Sequence, residues 1–279
     1  PLIRQLRWLS MRHIRQLVRH PMVVSLNTGV VAVTALILGL LFKDVTDDLP
    51  GVLNRAGVVF FLTSFFMLTG LVTLGVWQHE RLLYFHEHSS GCYGPGAYVL
   101  SKTFCDIIPL RVLPVFLFGA VAYPLIGLKP TAEAAAWFAV LVCLANLNAS
   151  AMFNCIGIAC ANTALGTLLA IVVALCSQLL SGFIVNKNSL DGLSLRLTGL
   201  SFLNYVFEAL MINELGDTAI VITPKGLNQS FPTTGEVILD QIGVQSDRFG
   251  LDVGVLVAWF VVCVALSYVI LRFFVKDMR

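Results

Sequence analysis

The stretch ERLLYFHEHSSGCYGPGAYVLSK, residues 80–102, is polar, bears histidines and glycines, and lies between two long apolar runs. Such a segment cannot sit in hydrocarbon, because each charged side chain at bilayer depth costs roughly 2.5 to 3.5 kcal/mol. It must lie at a membrane surface and face something, so its flanks are read as spans and the segment itself as a docking element.

Working outward, 57% of the 279 residues are hydrophobic and 12% are charged, against roughly 25% charged in an ordinary soluble domain. The composition is that of an integral membrane protein. An apolar layer about 30 Å thick takes about 20 helical residues, and runs of that kind lie at about 23–42, 54–78, 98–126, 132–160, 164–185 and 252–275. Six spanning helices follow, since spanning strands would show short segments of alternating polarity instead. The expected fold is an all-α membrane protein, with residues 1–20 an amphipathic helix and 21–279 the membrane domain.

The net charge of +2 is too small to argue for nucleic acid, and the basic residues read as topology signals. Arg4, Arg7, Arg12, Arg15, Arg19, Arg81, Lys102, Arg272, Lys276 and Arg279 fall on one side. The other side mixes Lys43, Arg55, Lys129, Lys187, Arg196, Lys225 and Arg248 with many acids, so both termini are expected in the cytoplasm. The seven cysteines fall in spans or in the docking loop, which gives no disulfide framework. Asn228 opens an N-x-S triplet in the expected outer loop, about 213–251, and is a candidate glycosylation site. Residue 1 is proline, with no signal cluster before the first span, and the chain reads as a piece of a longer polypeptide.

Residues 2–19 place Leu2, Leu6, Leu9, His13 and Leu17 on one helical stripe and Arg4, Arg7, Arg15 and Arg19 opposite. This helix lies in the membrane interface or packs on a soluble domain. Pro109, Pro114 and Pro124 should kink the third span. Arg111 among them is a functional residue, snorkels, or pairs with Asp106. In the fourth span Asn146, Asn148, Ser150 and Asn154 are read as joining helices to one another. The run 193–210, interrupted by Arg196, Asn204 and Glu208, is too broken for a span and reads as a re-entrant or interfacial pair of short helices.

Phosphate loop, dinucleotide fingerprint, H-E-x-x-H and paired-cysteine metal motifs are all missing from the sequence, so no catalysis is expected within it. His79, Glu80, His86, Glu87 and His88 could ligate zinc, but lack regular ligand spacing. A surface for a soluble partner suits them better, and no metal site is expected.

Taken together, NRAGVVFFLT (54–63), ERLLYFHEHSSGCYG (80–94), DIIPLRVLP (106–114), GLKP (127–130), LLSGFIVN (179–186) and FEALMINE (207–214) carry a resemblance covering nearly the whole chain. In order and spacing they resemble the transmembrane half of G-subfamily ATP-binding cassette half-transporters, the white and breast cancer resistance protein group.

The resemblance implies an upstream nucleotide-binding domain that holds ATP and Mg, absent from this chain, and a second half-transporter, identical or not, as partner. Residues 2–19 would be the connecting helix, and Glu80, Arg81 and Glu87 would couple the ATPase domain to the spans. Phe61, Ser64, Phe65 and Leu68 of the second span, with Ile171, Val172, Leu175 and Gln178 of the fifth, would line the substrate cavity on the dimer axis. Phe183 and Ile184 would form its plug. The i, i+3, i+4, i+7 spacing of the first set puts those four on one helical face.

Multidrug members have an aromatic ring at the position of Leu68, asparagine at that of Phe65, and outer-loop cysteines that this sequence lacks. The implied function is the membrane half of an ATP-driven exporter of amphipathic or hydrophobic organic molecules, working as a dimer by alternating access in the plasma membrane among lipids. A sterol or lipid transporter of the same family is the alternative, and a passive channel or scaffold stands behind both.

Overall fold

The structure, a computed structural model, describes residues 2–19, 21–46, 48–190, 192–216, 218–222 and 231–273. The chain begins with α1 (Leu2–Arg19) and α2 (Pro21–Leu41), followed by α3 (Leu49–Gly70) and α4 (Val72–Ser89). Next come α5 (Pro95–Lys102), a π turn (Thr103–Ile107) and α6 (Ile108–Ile126). The chain continues through α7 (Ala132–Ala159), α8 (Thr163–Leu179), α9 (Leu193–Thr198) and α10 (Phe202–Leu215). A hairpin of β1 (Ala219–Ile222) and β2 (Phe231–Thr234) leads to α11 (Gly235–Ile242) and α12 (Phe249–Phe273).

Five segments are long and apolar enough to cross a membrane: Val24–Leu41, Leu49–Ser89, Pro95–Ile126, Ala132–Ala159 and Ser246–Phe273. The expected fifth span is a shorter apolar helix, α8, because the chain leaves helical geometry after Leu179 and passes Gly182 at φ +85°. The broken run after it forms two short helices, α9 and α10. Among the described residues the hairpin is the only sheet, antiparallel with Ala219 opposite Thr234 and Ile222 opposite Phe231. The expected outer loop is thus largely structured. Asn228 lies outside the described residues.

Caps fix where the helices start. Asp48 accepts from the Gly51 amide, Thr131 from Ala134 and Asn162 from Ala164, each satisfying a donor that the first turn leaves open. The third span is less regular. Pro109 has no amide to give its helix, and the backbone just before it widens into the π turn, where Ile108 N–H reaches Thr103 O.

Helix α7 is the hub, touching α3, α4, α6, α8, α10 and α12. Small residues allow the closest approach: a Cβ placed on Gly70 would stand 3.1 Å from Ala149 Cβ and 3.1 Å from a ring carbon of Phe153. Polar groups then link the helices. Asn146 Nδ2 donates to Arg111 O at 3.0 Å, Asn148 Nδ2 to Leu256 O at 3.1 Å, and Asn213 Nδ2 to Ala134 O at 3.0 Å, the joining role expected of Asn146 and Asn148.

Helix α1 buries Leu9 and His13 and leaves Arg4, Arg7, Arg15 and Arg19 exposed. It packs against α5 and the π turn, so its apolar face covers the chain's own helices. The side chains of Leu2 and Leu17 lie outside the described residues.

Candidate functional site

Helices α3 and α4 form one rod with a joint. At Leu71 the ladder changes to i→i−3 bonds, Leu71 N–H to Leu68 O and Leu74 N–H to Leu71 O, both 3.1 Å. Short 3₁₀ stretches inside a helix often mark hinges.

Above the joint, one face of α3 carries Phe61 and Leu68, each 48% exposed, with Ser64 and Phe65 half-buried between them. Phe65 meets Phe66 edge-on at 5.3 Å, and Phe66 meets Phe118 in the same manner at 5.6 Å. The stripe is therefore anchored on the bundle core. Helix α8 touches α3 and buries the small residues Gly166, Ala170 and Ala174. That leaves Ile171, Val172 and Leu175 exposed and Gln178 half-buried. Beyond α8, the Phe183 ring stacks on Phe60 at 4.7 Å and meets Phe207 edge-on at 5.7 Å, while Ile184 is exposed. Phe60 and Phe207 had no sequence signal of their own, because any phenylalanine in an apolar run looks alike.

Below the joint the chemistry changes to ion pairs within the chain. Glu80 accepts from Lys102 Nζ through both oxygens at 2.8 Å and from the Tyr98 hydroxyl at 2.9 Å. Lys102 is only 3% exposed. Arg81 donates to Cys160 O at 3.1 Å, beside Gln78 Nε2 at 3.2 Å. Together they satisfy a carbonyl at the C-terminus of α7, and the Arg81 guanidinium lies 5.5 Å from the Phe85 ring.

Glu87 accepts from Arg12 of α1 at 2.7 Å and from the Tyr93 hydroxyl at 2.7 Å. Burial and the Glu87 carboxylate push the Tyr93 phenol well above its ordinary range. Beneath these pairs Tyr84, Tyr93 and Tyr98 pack ring on ring, with Trp77 against Tyr84 and Tyr98. Of this plate, sequence reading named Glu80, Arg81 and Glu87 and missed Arg12, Tyr93, Tyr98 and Lys102 as their partners. His79 and His86 are exposed and His88 Nδ1 lies 3.0 Å from Tyr93 O. Among the described residues no three metal-ligating groups gather.

Arg111 sits at the joint itself. It donates to Thr69 O at 2.9 Å and to Thr73 Oγ1 at 2.8 Å, so one planar group ties α6 to both sides of Leu71. The side chain of Asp106 lies outside the described residues.

At the opposite end of α3, Glu214 of α10 is buried and accepts from the Lys129 amide at 3.1 Å. Lys129 also donates from Nζ to Gly216 O at 2.8 Å and accepts from the Tyr123 hydroxyl at 2.7 Å. Loss of hydration pushes the Glu214 carboxyl up to about 7, against the pull of the Lys129 amide and of the Arg55 charge. Folded Glu214 therefore keeps its proton at a pH where the unfolded group, near 4.5, has lost it. Its contribution to stability is complete below the unfolded value and is lost as pH rises through about 7. Thermal unfolding of the purified protein should accordingly show stability falling across that window, and Glu214→Gln should flatten the slope. An unchanged slope would remove Glu214 as its source.

A rod with an exposed apolar stripe on one half and an ion-paired plate on the other belongs to a polytopic membrane protein. The chain belongs to the ABC-2 type transporter family, whose model matches residues 4–215, and it is a transporter membrane domain. It is 30% identical to ABC transporter G family member 24 of Dictyostelium discoideum over 96% of this chain and 23% of that protein. Against the broad substrate specificity ATP-binding cassette transporter ABCG2 of Bos taurus it is 30% identical over 88% of this chain and 38% of that protein. Against Protein white of Ceratitis capitata the figures are 31%, 88% and 35%. The chain thus spans well under half the length of these relatives.

Proposed function

We propose that this chain is the membrane half of an ATP-driven exporter of amphipathic or hydrophobic organic molecules, working as a dimer by alternating access, with both termini cytoplasmic and the plasma membrane as its site. The observation that carries this reading is the jointed rod α3–α4. One half presents Phe61, Phe65 and Leu68 at the surface, and the other is bonded to α1 and α5 through Glu87 and Glu80.

In this reading a second copy faces the stripes of α3 and α8, and the pair of faces forms an apolar slit with Ser64 and Gln178 as its few polar groups, the composition that such sites favour. An upstream nucleotide-binding domain holding ATP and Mg moves the plate of Glu80, Arg81 and Glu87, and the two conformations exchange populations as nucleotide binds and is hydrolysed. Phe183 and Ile184 close the slit at its far end. The broad substrate specificity in the name of the ABCG2 relative supports a slit that selects by hydrophobicity and size.

Uptake of a panel of hydrophobic dyes into inside-out vesicles bearing the full-length protein tests this reading. ATP-dependent uptake is expected, and its absence for every dye would count against export. Phe65→Ala should shift the preference among the dyes by roughly five- to tenfold, since covering a phenylalanine in full is worth about 1.5 to 3 kcal/mol and cargo would cover the half of Phe65 that the bundle leaves open. An identical profile would remove Phe65 from the slit.

A further inference from the structure

Immediately behind the Phe183 stack lies a cavity of about 300 Å³ whose walls include Lys187, Asn204, Tyr205, Glu208, Gln245 and Arg248. Helix α10 borders both, and Gly182, next to Phe183, lies against the cavity: a Cβ there would stand 3.0 Å from Lys187 Cε and 3.2 Å from Asn204 Oδ1. Phe207 of α10 meets Phe183, while Asn204 and Glu208, one helical turn apart on another face, look into the cavity. The cavity wall carries two cations, Lys187 and Arg248, and one carboxylate, Glu208. Lys187 and Glu208 form an ion pair with little exposure on either side chain. Asp252, fully buried on α12 outside the cavity wall, lies within the electrostatic reach of Lys187 and Arg248.

Burying such a pair costs several kcal/mol per ion, and apolar residues of similar size would often hold the fold as well. The pair also leaves hydrogen-bonding capacity unused. An ammonium has three donors, and Lys187 uses one of them, on Glu208. Glu208 uses one oxygen, and Asn204, 3% exposed, makes no side-chain hydrogen bond among the described residues.

We propose that this cavity is a second substrate subsite, which takes the uncharged, hydrogen-bonding head of an amphipathic cargo, a hydroxyl above all, while the apolar body remains against Phe183. A hydroxyl can accept from Lys187 and donate to Glu208. A carboxylate head would face Glu208, and a quaternary ammonium would face Lys187 and Arg248. The loop between plug and cavity is pinned from outside, with Asn186 Nδ2 on Gln241 O at 3.0 Å and Asn188 Nδ2 on Asp240 O at 2.8 Å, so the walls are held while the plug ring turns. The proposal deepens the export reading above and rests on it.

The test is ATP-dependent uptake of three probes that share one apolar body, butylpyrene, pyrenebutanol and pyrenebutanoate, by the full-length transporter in inside-out vesicles. The wild type should prefer the alcohol to both others. The double substitution Lys187→Leu, Glu208→Leu removes both charges together and so leaves no buried ion alone. It should lower the ratio of pyrenebutanol to butylpyrene uptake about tenfold, the loss of one to two hydrogen bonds. Asn204→Leu, which removes no charge, should lower it about threefold and serves if the double variant does not fold. A ratio unmoved in these variants, or a wild type that prefers the carboxylate, overturns the subsite while uptake itself persists. A wild type that pumps none of the three overturns the export reading, and the subsite with it.

Discussion

Replacing Glu80 with alanine is expected to cost the bundle about 3 to 5 kcal/mol, the range for removing one partner of a buried ion pair. The reason lies in Lys102. The residue is 3% exposed and its ammonium is bonded to both Glu80 oxygens at 2.8 Å, so the substitution takes away the carboxylate that balances a charge water barely reaches. The Tyr98 hydroxyl loses its acceptor as well. Thermal unfolding of the purified protein in detergent would show the loss. The double substitution Glu80→Ala, Lys102→Met should recover most of it, since removing both charges is often close to neutral. A double variant as unstable as the single one would show that the pair does not hold the plate.

The second large effect is expected at Arg111. Arg111→Met keeps the bulk and removes the donors to Thr69 O and Thr73 Oγ1. Leaving buried acceptors unpaired costs about 1 to 3 kcal/mol, and here the cost is local to the joint. Hydrogen exchange of the amides from Leu71 to Leu74 should rise by tenfold or more, with the amides of α7 little changed. Arg111→Lys should fall between, because a single ammonium lacks the planar fork that reaches both partners. Exchange that rises equally throughout the bundle would argue for general destabilisation and against a brace.

How much of this was legible in the sequence depends on how local each signal is. The apolar runs were visible because hydrocarbon thickness imposes a length, and five of the six expected spans fall on helices or helix pairs long enough to cross. The stretch after α8 was recognisable as broken because Arg196, Asn204 and Glu208 interrupt it. Its exact form, two short helices with Glu208 facing Lys187, needed coordinates.

The continuation of helix through Glu80 to Ser89 was less visible, since polarity marks a surface but does not say whether the backbone stays helical there. The pairings were not visible at all. Arg12 and Glu87 are 75 residues apart, Glu80 and Lys102 are 22 apart, and Arg111 reaches 42 and 38 residues back. Nothing in the spacing of a single chain singles out such partners. For Arg111 the sequence neighbour Asp106 drew attention, whereas the carbonyl of Thr69, which every residue possesses, carries no letter to be read.

Gly70 lies just above Leu71 with Ala149 and Phe153 directly opposite, where there is no room for a side chain. The two arms on either side are of similar reach, 22 residues for α3 and 18 for α4, or about 33 and 27 Å at about 1.5 Å per residue. Both arms pack on α7, so even a methyl group at Gly70 would wedge the rod away from α7 at the place where the arms meet and loosen the seating of both.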